Sequence, residues 1–251
     1  MLAAYFDESG EPNAEVTCVA GFVGDTIEWA RAERDWLARL GKLAPFHSTD
    51  CGARDKQFSA LKIGENGKLS QDLATILSKY PLTAVGCAVH RDDWRYAAAN
   101  TVIERQYRTK YHFCMAMVLM QVNDLSEKHW RGEPIAFEFA EQLQYQDYAI
   151  AMQEVFRDSR DEFPCIGHMG IGRPECVVPL QAADLFSNEY YKELIYQREH
   201  PGETKPGRVE MQILCEELPV VGVYAGVEYL HEIANGMEAL KSSSSDQAAG
   251  R

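Results

Sequence analysis

The chain has 251 residues, 46% of them hydrophobic and 25% charged, enough to bury one full core without requiring a second domain. Its net charge of −13 argues against a protein that grips a long nucleic-acid duplex through a broad basic face. The longest helix-like apolar stretch, Phe113 to Val122, is too short to span a bilayer, and no basic region precedes an apolar segment at the start, so a cytoplasmic location is the default expectation. Seven cysteines are scattered with no CxxC pair, which speaks against a disulfide framework and a structural zinc site.

Ala3-Ala4-Tyr5-Phe6-Asp7-Glu8-Ser9-Gly10 opens the chain. An apolar run ending in two acids, a serine and a glycine reads as a buried strand that carries carboxylates into a turn. Alternation puts Tyr5 and Asp7 on one face and Phe6 and Glu8 on the other. Such an acid can hold a divalent metal or a proton over a sheet edge; the plainer alternative is a turn cap made with Ser9 and Gly10. Glu11-Pro12-Asn13 makes the turn into a second strand, Val16 to Val23, the hairpin partner of the first.

Thr26 is the expected N-cap of a helix whose apolar stripe, Trp29, Ala30, Trp36, Leu37 and Leu40, ends at Gly41. Phe46 to Cys51 is a polar excursion and Phe58 to Gly67 a loop, followed by a helix over Leu69 to Lys79. Leu82 to Val89 predicts a strand buried on both faces. Trp94 to Asn100 reads as a connector, and Val102 to Lys128 as one long helix whose methionines and aromatics form core. Pro134 to Phe139 is a strand with Glu138 inside it, and Gln146 to Arg157 a helix. Short strands are expected at Cys165 to His168 and Cys176 to Val178, then a helix from Leu180 to about Arg198. Val220 to Val227 fits a strand or a helix start equally well, and the domain is expected to close by residue 240. The tail from Lys241 to Arg251 has no core-forming pattern and is expected to lack stable structure.

The order of elements predicts one α/β domain, helices on a mixed sheet. Asp7, Glu138 and Asp184 stand at element edges, Asp184 in the first turn of its helix, where the dipole favours an anion. An acid among Ile135, Phe137 and Phe139 is costly to bury without a partner. Three converging carboxylates would suit Mg²⁺ or Mn²⁺, and a pair of such ions can activate water for phosphodiester cleavage.

Tyr5-Phe6-Asp7-Glu8-Ser9-Gly10 resembles the opening of the domain-of-unknown-function family 3800, and Leu180-Gln181-Ala182-Ala183-Asp184-Leu185 resembles its closing motif. The two motifs bracket roughly residues 3 to 200. The resemblance implies a ribonuclease H-like fold and a metal-dependent nuclease. It assigns Asp7, Glu8 and Asp184 to the site and puts Glu138 at the place of a middle-strand acid, with Glu141 as its substitute. A nucleic acid, DNA or RNA, is the implied partner; a protein partner or self-association is left open.

His47 with Asp50, and His168 before Gly170, are weaker candidates for proton transfer or metal ligation, a solvated loop histidine being the alternative. Gly167 to Gly172 lacks the lysine-serine ending of a phosphate loop. A phosphatase with Asp7 as nucleophile would want an aspartate where Ser9 stands, and no Gly-x-Ser-x-Gly occurs for serine hydrolysis. The rival to a nuclease is a non-catalytic binding or assembly module on the same scaffold.

Overall fold

The computed structural model describes residues 1–10, 13–141, 156, 161–203 and 206–249, the side chains of 240–249 excepted. β1 (Leu2–Ser9) and β2 (Val16–Asp25) form the expected antiparallel hairpin, with Phe6 opposite Gly21 and Asp7 opposite Ala20. β3 (Thr83–His90) continues the meander antiparallel to β2, and β6 (Val220–Tyr224) adds parallel to β3. On the other side of β1, β4 (Ile135–Ala140) and β5 (Ile166–Gly172) add in parallel. The order β5-β4-β1-β2-β3-β6 puts the strand bearing Asp7 in the interior of a six-stranded mixed sheet.

Strand alternation divides the core into two layers. Leu2, Ala4 and Phe6 join Val85, Phe137 and Phe139 on one face, under α4 (Arg91–Ala97), α5 (Val102–Tyr107), α6 (Lys110–His129) and the start of α9 (Val227–Ala249). Ala3 and Phe22 join the opposite face, with α1 (Thr26–Leu40), α2 (Ser48–Ala53), α3 (Glu65–Leu77), α7 (Val178–Glu199) and α8 (Val209–Glu217). The result is a single α/β domain, its mixed sheet flanked by helices. Among the described residues no helix is long and apolar enough to cross a membrane.

Several expectations need correction. The connector at Trp94 to Asn100 begins instead as α4, because the His90 imidazole accepts from the Asp92 amide and caps it, a role that histidine seldom advertises. The long helix breaks at Arg108, whose φ is +61°; Thr109 then caps α6 by accepting from the His112 amide. The excursion at residues 46–51 holds the start of α2, with Phe46 and Cys51 buried. α3 starts at Glu65, inside the expected loop. Cys176 to Val178 is the turn into α7 rather than a strand. The ambiguous stretch at 220–227 holds both β6 and the first residue of α9. The backbone of α9 runs on to Ala249, so residues 241–249 continue a helix where unstructured chain was expected. Serine, alanine and glutamine tolerate a helix already nucleated upstream, and the absence of an apolar stripe says only that this part need not pack. The helix expected over residues 146–157 lies outside the described residues, Phe156 excepted.

Candidate functional site

The interior of β1 is apolar, but its last turn of pleat is not. Asp7 and Glu8 emerge where the sheet ends and α7 crosses β1 and β2. They line a cleft of about 640 Å³ together with Ser9, His47, Asp184 and Asn188. Asp184 is 6% exposed and lies in the second turn of α7, because Val178 and Pro179 start the helix earlier than expected. The helix dipole fades within the first turn, so it does not place this anion. The Ser48 amide does: it donates to Asp184 Oδ2 at 2.6 Å. Asp7 Oδ1 in turn accepts from the Glu8 amide at 2.8 Å.

Gln181 explains how residues 46–48 reach this place. Its Oε1 accepts from the Phe46 amide at 2.9 Å and from Trp36 Nε1 at 3.1 Å, and its Nε2 donates to the Pro174 carbonyl at 2.7 Å. α7 thus carries Gln181 to hold the loop and Asp184 to meet it. Ser187 ties the same helix to β1, donating to the Glu8 carbonyl at 3.4 Å and lying 3.3 Å from Ser9 Oγ.

Burial is the main electrostatic force here. It raises the Asp7 carboxyl well above the usual aspartate range, and the negative charges of Asp184 and Glu8 push the same way. Burial also pushes Glu8 up to about 8. Asp184 is raised by burial too, against the opposing pull of His47, Ser48 and Lys192. These shifts have a consequence for stability. The folded protein keeps the Glu8 proton over the range in which the unfolded chain has released it, so stability falls as pH rises from about 4.5 to about 8. Melting the metal-free protein across that range should show the decline, and Glu8→Gln should flatten it. An unchanged slope in the variant would mean that Glu8 is solvated.

Glu138 does not join the cleft. Its register partner is Tyr5, so it shares the sheet face of Asp7, but it leans the other way, over β5. A Cβ on Gly170 would meet Glu138 Oε2, and one on Gly172 would stand 2.6 Å from Oε1; these two glycines make the space the side chain occupies. Burial raises its carboxyl, and the exposed His168 opposes that rise. Glu141 is engaged elsewhere, 2.7 Å from Arg173 Nε. Asp50 pairs with Lys56 at 2.8 Å and stands 3.6 Å from His47 Nδ1, outside the cleft lining. Among the described residues no group of three or more His, Cys, Asp or Glu side chains is arranged to hold a metal ion.

Asn188 and Tyr191 also line the cleft and went unread in the sequence. The signal was available: with Asp184 they are spaced i, i+4 and i+7, one face of α7. Asn188 Oδ1 is buried and has no hydrogen-bond partner among the described residues. No protein-family model matches the chain, and no curated protein is significantly similar to it.

Proposed function

We propose that the protein is a ribonuclease H-like, divalent-metal-dependent nuclease, related to the domain-of-unknown-function family 3800, with Asp7 and Asp184 as its metal-holding pair. The observation that carries this reading is that pair: two buried carboxylates at one cleft, each raised by burial, with Asp184 and Glu8 adding repulsion at Asp7. A bound cation would relieve that repulsion, and oxygen donors suit Mg²⁺ or Mn²⁺. Mg²⁺ is commonly held by only one or two carboxylates, water and substrate phosphate completing its shell, so a third protein carboxylate is not required. The β1-β2-β3 meander, with two parallel strands added beyond β1, supports the ribonuclease H-like part of the reading.

Asp7 and Asp184 would hold the ion, with Asn188 Oδ1 within the same cleft as a neutral oxygen. When bound, the ion supplies an activated water and neutralises charge on the leaving oxygen. Glu8 lines the same cleft, and in the metal-free protein burial pushes its carboxyl up to about 8, which suits it to deliver a proton to a leaving oxygen. His47 and Thr49 also line the cleft and would orient what enters. Glu138, Glu141 and Asp50 are left out of this machinery by their positions.

The non-catalytic alternative, a binding or assembly module, is favoured by one observation: no group of three potential ligands stands together among the described residues. One experiment separates the two. The full chain is incubated with single- and double-stranded DNA and RNA in Mg²⁺, Mn²⁺ or EDTA. Cleavage in Mn²⁺ or Mg²⁺, lost in EDTA and lost by at least about a hundredfold in Asp184→Asn, supports the nuclease. No cleavage of any substrate with either ion leaves the binding module.

A further inference from the structure

A second cleft, of about 310 Å³, opens on the other face of the sheet beside the same β1–β2 turn. Its chemistry is opposite to that of the first. Arg91, Arg95, Arg108 and Lys110 line it, with Glu104 as the acid among the lining residues. Glu104 is already used, its Oε2 accepting from the Asn100 amide at 2.7 Å. Among the described residues no carboxylate lies within ion-pair distance of the Arg95 or Arg108 guanidinium.

Two buried polar atoms in this cleft lack partners. Thr17 Oγ1 has no hydrogen bond among the described residues, and neither has Arg91 Nε, which stands 3.6 Å from Asp92 Oδ1. Lys110 is 9% exposed, and its ammonium donates to the Ala14 carbonyl at 3.2 Å. Burial lowers its hold on a proton, and the charges of Arg91 and Arg95 add to that. Asp92 pairs with Arg91, but Arg95 and Arg108 have no such partner among the described residues, and clustered cations left unpaired are stabilised by an anion.

The place of this cleft selects the anion. Asn13 lines the basic cleft and Ala14 the carboxylate cleft, so the two meet across consecutive residues of one turn. A single phosphate cannot occupy both; a chain of linked phosphates can. The carboxylate cleft alone repels a polyanion, in a chain whose net charge is −13. We propose that the basic cleft binds backbone phosphates of the nucleic-acid strand whose scissile bond lies at Asp7 and Asp184. This rests on the nuclease reading for its second half only, because strand binding is measurable without cleavage.

The test uses the full chain in EDTA with a short fluorescent single strand, DNA or RNA, its anisotropy followed between roughly 50 and 200 mM salt. Arg95→Gln with Arg108→Gln changes two exposed side chains and spares the buried lysine. The double variant should bind about tenfold more weakly at low salt, with a salt slope shallower by about 1.4, and the double lysine variant should regain most of the affinity. Equal binding by wild type and the double glutamine variant overturns the phosphate cleft; if wild type still cleaves in Mn²⁺, the nuclease reading survives that failure. Loss of binding in the variant, with no cleavage by wild type in any metal, keeps the strand-binding cleft and overturns the catalytic reading. Binding of inorganic phosphate without binding of any strand overturns the proposal.

Discussion

Gln181→Ala should lower stability by about 3 kcal/mol and loosen the candidate site at the same time. The side chain is 1% exposed and holds three partners: the Phe46 amide, Trp36 Nε1 and the Pro174 carbonyl. Truncation leaves all three without their bond, and each buried orphan costs about 1–3 kcal/mol, with some recovered by relaxation or entering water. Urea unfolding of the full chain reads the loss. Gln181→Met, similar in volume but unable to bond, should cost nearly as much; Gln181→Ala much worse than Gln181→Met would identify packing as the cause. The same anchor fixes residues 46–48, and through them the Ser48 amide on Asp184. Metal affinity should therefore fall in both variants, although neither changes a carboxylate. A stability change below about 1 kcal/mol would mean that the loop is held by its apolar contacts alone.

Gln181 also shows where sequence reading stopped. It stands three residues before Asp184, in the motif that drew attention, yet its partners are residues 36, 46 and 174. No local pattern names them. The strand bearing Asp7 was legible because an apolar run ending in turn residues fixes both the strand and the position of its tip. The hairpin with β2 was legible for the same reason. The strand holding Glu138 was legible too, but a place in a strand is not a direction. Two glycines on β5 let that side chain lean away from Asp7, and a register pairing between residues 31 or more apart cannot be read from either strand alone. The break at Arg108 escaped because the apolar spacing continues through it; only Thr109 as a cap marks it, and a threonine inside a helical pattern is ambiguous. Asp184 was found from the resemblance and its polar character, while its support was misjudged: proline at the start of α7 moves the helix N-terminus away from it.

Asp7→Asn should raise the stability of the metal-free protein at pH 8 and abolish its response to Mn²⁺. The substitution keeps the oxygen that accepts from the Glu8 amide, so the turn geometry has no reason to change. It removes a carboxyl that burial, then Asp184, then Glu8, all make costly to ionise. The sign follows from linkage. A carboxyl raised in the folded state stabilises it fully below the unfolded value, and that contribution is lost as pH rises through the folded value. At pH 8 the wild type has lost part of it, through proton uptake or through repulsion, and the amide has lost none. Each kcal/mol recovered should appear as about 2–4 °C in the melting temperature of a chain this long. Mn²⁺ should stabilise the wild type by mass action, about 2.7 kcal/mol at a hundred times its dissociation constant, and leave the variant unmoved. Cleavage should fall with the Mn²⁺ response. An aspartate that merely capped the turn would behave differently. Its amide variant would accept from the Glu8 amide about as well, would gain no stability at pH 8, and would answer Mn²⁺ as the wild type does. That pair of results would remove Asp7 from the proposed metal-holding pair, leaving Asp184 with Glu8 as the other acid of the cleft.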